Sequence, residues 1–260
     1  AGTIYTLFGL QNISGNGNLN VTAVGHQWWW EFDYPNQQIV TADTLYIPQG
    51  TVINLSEVSN NVIHSFWIPK ITGKTDVIPG HNNTKIFRAD QVGVYRGECA
   101  EYCGTQHANM NFSVVVLPAG SFSSWVSSQQ AKAQTPTDAL AAQGAKAFQN
   151  SGCTGCHGIV GVDLNSFNDP RSQALVGPNL THFGSRSLIA GGVIEASNGH
   201  SWADDPACQL VNGKLSNPSD CGLYRWLHDP QGVKPGNDMV ISSLSDSQIY
   251  ALIAYLESLK

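Results

Sequence analysis

This 260-residue sequence has no run of 18 or more apolar residues, so no part of it reads as a bilayer-spanning helix. Its opening, Ala1-Gly2-Thr3, lacks the basic segment and apolar stretch expected of a secretory leader. Charge is scarce. Asp, Glu, Lys and Arg make up 12% of the chain, against about 25% in an average globular protein, which points to a surface that works against a partner. Basic residues are the scarcer kind: 13 Lys and Arg against 19 Asp and Glu leave a net charge of -6. That balance argues against nucleic acid as a partner and suits a basic redox partner. The stretch through Pro118 carries 8 acidic and 5 basic side chains and the remainder 11 and 8, so bulk attraction does not dock one half on the other. Methionine is nearly missing, with 2 in the chain, and 8 histidines are too few for a His-rich catalytic domain. What is present is an ordinary hydrophobic content of 42% and a length that favours two domains.

Chemistry concentrates at the cysteines. Two of them lie in Cys99-Ala100-Glu101-Tyr102-Cys103-Gly104-Thr105-Gln106-His107-Ala108-Asn109-Met110. Thiolate, imidazole and thioether are soft donors, and together they select copper over magnesium, calcium or manganese. One Cys, two His and an axial Met make a mononuclear blue-copper site, whereas a second Cys on the same loop can bridge two metal ions. The second imidazole must come from elsewhere, and His64 in Asn61-Val62-Ile63-His64-Ser65-Phe66-Trp67 is the candidate. Two plainer readings stand beside this one. A Cys99–Cys103 disulfide leaves His107 and Met110 unexplained, and zinc on both thiols with His64 and His107 leaves Met110 unexplained.

The pattern Cys-x-Glu-x-Cys-x-x-x-His-x-x-Met with an upstream His resembles the CuA site of cytochrome c oxidase subunit II. The resemblance implies that Cys99 and Cys103 are the bridging thiolates of a dinuclear copper centre and that His64 and His107 each end one side of it. Met110 and the backbone carbonyl of Glu101 become the weak axial ligands. The Glu101 carboxylate is further implied to reach a magnesium at the contact with subunit I. Gly25-His26-Gln27-Trp28 opens a strand in this family, and the position of Trp28 is where electrons arrive from cytochrome c. His26 reads as structural. Asp76-Val77-Ile78-Pro79-Gly80 also matches, but His81 stands where the family usually has Arg, a departure at a cationic contact to the partner subunit.

Alternation predicts strands at 3–7 and 21–34, the second rich in aromatics. On one continuous strand Trp28 and Trp30 would share a face and Trp29 would take the other. Further strands are expected at 38–41, 44–47, 52–58, 66–68, 84–89, 92–97 and 111–117. Many short strands mean a sandwich or barrel, and the resemblance makes residues 1–118 an all-β, cupredoxin-like Greek-key sandwich. Residues 119–137 read as a linker rich in Ser, Gln and Ala, with a short helix docked through Phe122 and Trp125.

Beyond it the period becomes helical. Leu140, Gly144, Ala147 and Phe148 share a face, with Thr137 or Asp138 as cap and Gly152 as stop. Cys153-Thr154-Gly155-Cys156-His157 follows, the c-type haem attachment signal, in which both thiols add to haem vinyl groups and the His ligates iron. A redox-active or zinc-binding Cys-x-x-Cys is the plainer reading, and the adjacent His and preceding helix argue against it. The segment 138–260 resembles an all-α class I cytochrome c domain. The resemblance implies that Pro178, in Gly177-Pro178-Asn179-Leu180, accepts a hydrogen bond from His157. It makes Met239 the sixth iron ligand, ahead of His182, His200 and His228; Val240 stands where the family often has Pro. Cys208 and Cys221 remain as a natural disulfide pair for an oxidising compartment. A short helix is expected at 222–228. In the last helix Ser245 and Gln248 make a capping box, Leu244 and Ile249 a hydrophobic staple, and Ile249, Leu252, Ile253, Leu256 and Leu259 a buried stripe.

The two modules in this order resemble the fused subunit II of a caa-type cytochrome c oxidase. The resemblance implies an electron-input subunit on the extracytoplasmic face of a bacterial membrane. Single electrons would pass from a redox donor protein through haem c and the dicopper centre to subunit I, where oxygen is reduced; other membrane subunits complete the assembly. Family members carry membrane helices ahead of the copper domain, and this chain begins where those would end. It is then a soluble fragment, or its anchor lies outside this sequence. The alternatives are the electron-input subunit of a CuA-containing nitric oxide reductase and a copper-binding or delivery protein.

Overall fold

The computed structural model describes residues 19–260, and the strand expected at 3–7 lies outside them. Among the described residues no helix is long and apolar enough to cross a membrane. The chain divides into two units, one running through Ile39 and over Asp43–Ser128, the other made of Val40–Ala42 and Gln129–Lys260.

In the first unit, β1 (Leu19–His26), β2 (Trp29–Tyr34), β3 (Ile39–Ala42), β4 (Thr44–Pro48) and β5 (Val52–Ser59) are followed by β6 (His64–Ile68), β7 (Thr72–Val77), β8 (Asn83–Arg88), β9 (Gly93–Cys99) and β10 (Asn111–Leu117). They form two five-stranded sheets, ordered β3-β2-β1-β5-β8 and β4-β10-β9-β6-β7. Alternation decides which side of each strand faces inward: Ile53 and Leu55 of β5 are buried while Asn54 and Ser56 are not. Aromatic rings fill the interior. Phe66 and Phe112 stack at 4.8 Å, and Trp30 meets each of them edge-on. The stack explains a glycine, because a Cβ on Gly97 would lie 2.1 Å from the Phe112 ring. β6 pairs with β9 at Phe66 and Cys99 and with β7 at His64 and Val77. That register brings the start of β6 and the end of β9 together at one rim of the sandwich.

Two strand expectations need correction. Residues 21–34 are not one strand. The chain turns at Gln27 and Trp28, joined by a cis peptide bond, and β1 and β2 pair as a hairpin from His26 and Trp29 onward. Trp28 and Trp30 therefore do not share a strand face: Trp30 is core, while Trp28 stands at the turn, where its indole and the Gln27 amide both donate to the Cys103 carbonyl. The other correction is β7, absent from the sequence reading. Its Thr-Gly-Lys-Thr-Asp-Val is polar because it is an edge strand, with Val77 its one buried residue.

Helix α1 (Ala119–Gln129) follows Pro118 directly. Its Phe122 is buried, and Trp125 stacks on Tyr46 at 4.6 Å and meets Tyr34 at 5.3 Å. These contacts carry the first unit to Ser128, into the stretch that the sequence reading treated as linker.

The second unit holds α2 (Ala139–Asn150), α3 (Gly222–His228), α4 (Pro230–Val233) and α5 (Asp246–Ser258). The Asp138 carboxylate accepts from the Leu140 and Ala141 amides, an N-cap, and Gly152 sits just beyond the helix with φ +78°. Ser245 and Gln248 form the capping box of α5. α2 packs on α5 at Gly144, where a Cβ would stand 1.9 Å from the Ala251 carbonyl oxygen. The unit is not wholly α. β11 (Leu188–Ile189) pairs with β12 (Ile194–Glu195), and β13 (Leu210–Val211) with β14 (Lys214–Leu215). The second hairpin turns on Asn212-Gly213, at φ 52° and 74°, a dipeptide suited to that conformation. Cys208 and Cys221 are disulfide-bonded, with Cα atoms 4.7 Å apart, and the Cys221 sulfur also caps α3 by accepting from the Tyr224 amide.

Candidate metal and haem centres

At the rim where β6 begins and β9 ends, two imidazoles, two thiols, a thioether and a carbonyl converge. Nδ1 of the fully buried His64 lies 3.8 Å from Cys99 Sγ. Cys99 Sγ is 3.8 Å from Cys103 Sγ and 3.3 Å from the Glu101 carbonyl oxygen. Cys103 Sγ lies 3.7 Å from His107 Nδ1 and 3.7 Å from Met110 Sδ. His107 comes off a short 3-10 turn, His107–Asn109. Among the described residues, His64, Cys99 and Cys103 are the one group of His, Cys, Asp or Glu placed to share a metal ion.

Backbone bonds hold the loop in this shape. The Cys99 amide donates to the Met110 carbonyl at 2.9 Å and the Ala100 amide to Ser65 at 2.8 Å. Gln27 Nε2 and Trp28 Nε1 donate to the Cys103 carbonyl at 2.8 and 3.0 Å. Trp28 thus touches the loop directly. Sequence reasoning passed over Gln27, although it lies beside Trp28 in the quoted motif. It also passed over Asn61, whose Oδ1 is 3.0 Å from His64 Nε2 and whose signal was a side-chain amide three residues before a candidate ligand.

The donor chemistry decides what the loop can hold. The sulfurs are far beyond the roughly 2 Å of a disulfide. Hydrogen bonding to Cys103 is the main cause that pulls the Cys99 thiol down to about 3, against the opposing effect of burial. One tetrahedral zinc would use two Sγ and two Nδ1 atoms and leave Met110 Sδ idle, whereas two soft ions use all six donors. The residues fit a dinuclear copper centre. The Glu101 carboxylate accepts from the Tyr102 amide at 3.2 Å.

In the second unit Cys153 is half-buried and Cys156 exposed, both as thiols, and the His157 amide donates to the Cys153 carbonyl at 2.9 Å. His157 Nδ1 is 2.9 Å from the Pro178 carbonyl oxygen; Nδ1 therefore carries the proton and Nε2 keeps the lone pair. Burial pushes this imidazole below its usual value, the Pro178 bond opposes that, and the Arg186 charge adds to the lowering. A neutral ring is what iron ligation requires. Gly177 makes the close approach possible, because a Cβ there would meet His157 Cε1 at 2.5 Å. Two buried donors, Trp202 Nε1 and Asn179 Nδ2, have no hydrogen-bond partner. Donors left without acceptors fit a group that brings its own carboxylates, as haem does. Met239 is half-buried against the helical core, its amide held by Asn237 Oδ1 at 2.7 Å. Of its rivals, His182 is buried and stacked on Phe167, while His200 and His228 are exposed.

Residues 38–117 match the family of cytochrome c oxidase subunit II, periplasmic domain, and residues 141–260 match the cytochrome c family. The chain is 35% identical over 247 residues to cytochrome c oxidase subunit 2 of Alkalihalophilus pseudofirmus, covering 95% of this chain and 63% of that protein. It is 34% identical over 274 residues to the same subunit of Bacillus sp. strain PS3, covering 99% and 69%. The solved periplasmic domain of subunit II of cytochrome oxidase from Bradyrhizobium japonicum is 29% identical over 44% of this chain and 95% of that one, with a TM-score of 0.43. The chain thus spans roughly two thirds of the length of the full-length relatives it matches. With a cupredoxin-like β-sandwich followed by a helical cytochrome c domain, this chain belongs to the cytochrome c oxidase subunit II family.

Proposed function

We infer that this chain is the electron-input part of a haem-copper terminal oxidase, taking single electrons from a donor protein and handing them to subunit I, where oxygen is reduced. The observation that carries the reading is the six-donor cluster at the sandwich rim, with its two sulfurs 3.8 Å apart. When bound, haem c and dinuclear copper supply two one-electron relay stations. Cys153 and Cys156 would hold the haem by thioethers and His157 and Met239 would hold its iron, with Pro178 orienting His157. Asn179 and Trp202 would offer their unpaired N–H groups to its carboxylates. Cys99, Cys103, His64, His107, Met110 and the Glu101 carbonyl would hold the two coppers. Trp28 couples the electron path to Cys103 through its hydrogen bond. The Glu101 carboxylate would hold a magnesium at the subunit I contact. Residues held by β strands on both sides move little when the charge changes, which suits electron transfer. The chain works on the extracytoplasmic face of a bacterial membrane.

The test is copper counting with the visible and near-infrared spectrum of the loaded chain. Two coppers per chain and purple mixed-valence bands beside c-type haem bands are expected, and both copper signals should vanish in Cys99→Ser. A haem spectrum with no copper bands would refute the oxidase reading.

A further inference from the structure

Asn61 lies exposed just before β6, yet its side chain reaches the fully buried His64. Its Oδ1 accepts from the Val62 amide at 2.8 Å and stands 3.0 Å from His64 Nε2. The Val62 bond settles which end of the amide is oxygen, because an NH2 group there would face another donor. Oxygen at Nε2 means that His64 carries its proton on Nε2. The lone pair is then on Nδ1, the atom that faces Cys99 Sγ at 3.8 Å. The backbone of β1 closes the ring's other edge: a Cβ on Gly25 would lie 2.7 Å from His64 Cδ2. His107 is set differently. It is half-buried, on a 3-10 turn, with the exposed Tyr102 ring 5.9 Å away.

We propose that Asn61 is a positioning residue that fixes the tautomer of His64 and so sets the donor strength of one end of the dicopper centre, making the two copper positions electronically unequal. This rests on the dicopper reading above. An Nε2–H bonded to oxygen pushes electron density towards Nδ1, and a stronger donor favours the oxidised metal. A neutral amide does this less than a carboxylate and more than an alkyl group. Asn61 therefore gives an intermediate setting that can be moved in either direction.

The experiment uses the full haem- and copper-loaded chain as wild type, Asn61→Asp and Asn61→Leu. Copper content, the copper hyperfine pattern in electron paramagnetic resonance and the copper reduction potential are measured, with the haem potential as a control for the fold. Asn61→Asp should keep two coppers and favour the oxidised centre about tenfold, a fall of about 59 mV for a one-electron couple. Asn61→Leu should move the potential the other way and weaken copper retention at least ~10-fold. Both variants should alter the hyperfine pattern and leave the haem potential unchanged. Two coppers with wild-type potential and hyperfine pattern in Asn61→Asp would overturn the proposal, and this variant decides alone if Asn61→Leu fails to fold. A wild-type chain that takes up no copper overturns the dicopper reading first and the proposal with it.

Discussion

Glu57 is the residue whose replacement should change stability most informatively. It sits on the inward side of β5 in line with Ile53 and Leu55, is 0% exposed, and neither carboxylate oxygen has a hydrogen-bond partner. Burial pushes it from an ordinary 4.5 up to about 7, and the Lys85 charge on β8 opposes the rise without cancelling it. A raised carboxyl keeps its proton longer in the folded chain than in the unfolded one. Its contribution is therefore complete below about pH 4.5, declines as pH rises from there to about 7, and is flat above. A shift of that size is worth roughly 3 kcal/mol at about 1.4 kcal/mol per unit. Glu57→Gln keeps the shape and has no proton to lose. Denaturant unfolding of both proteins from pH 4 to 8, followed by tryptophan fluorescence, should show curves that nearly coincide at the acid end. The variant should be roughly 3 kcal/mol more stable at the alkaline end. Other titrating groups cancel in the difference. A difference independent of pH would mean that the carboxylate is ionised in the folded chain, and the argument from burial would fail.

Gly25→Ala should drive a methyl group into the His64 ring and weaken copper retention at least ~10-fold, read by chelator competition, with the haem spectrum unchanged. Gly144→Ala should destabilise the haem unit by about 2–3 kcal/mol or more, because the new Cβ meets backbone that cannot swing away. Its Soret melting transition should fall while the copper unit's stays. Replacing Cys208 and Cys221 together by Ser should cost about 3 kcal/mol in denaturant unfolding for a loop of this length, plus part of the α3 cap. Electron transfer from haem to copper within the chain should be independent of protein concentration and only weakly dependent on salt. A second-order rate in flash kinetics would refute that expectation.

Much of this architecture can be read from residue order. Cys99 to Met110 points to soft-metal chemistry because two thiols, an imidazole and a thioether seldom fall within twelve residues by accident, and Ser245 to Ile249 announces a helix start. The failures have local causes. Residues 21–34 alternate well enough to look like one strand, and only the side-chain bonds of Gln27 and Trp28 to Cys103, some 75 residues away, show the turn. β7 hides because an edge strand has little to bury. α1 is legible from Phe122 and Trp125 despite its Ser- and Gln-rich surroundings, and only the partners of Trp125, Tyr34 and Tyr46, needed three dimensions. Asn61 escapes notice because an exposed amide in a turn has many ordinary uses, and its partner is a buried ring.

The contact between α2 and α5 at Gly144 also governs timing. The first and last helices of the second unit complete one core, so that core cannot close until Asp246–Ser258 has been made. Cys153, Cys156 and His157 emerge long before it, and for that interval they belong to an unfolded, accessible segment. For the haem attachment proposed above, the fold thus provides its own window. A chain stopped before Leu244 should leave the window open: its thiols should stay reactive to alkylating reagents, while the β-sandwich, complete by Ser128, folds as before.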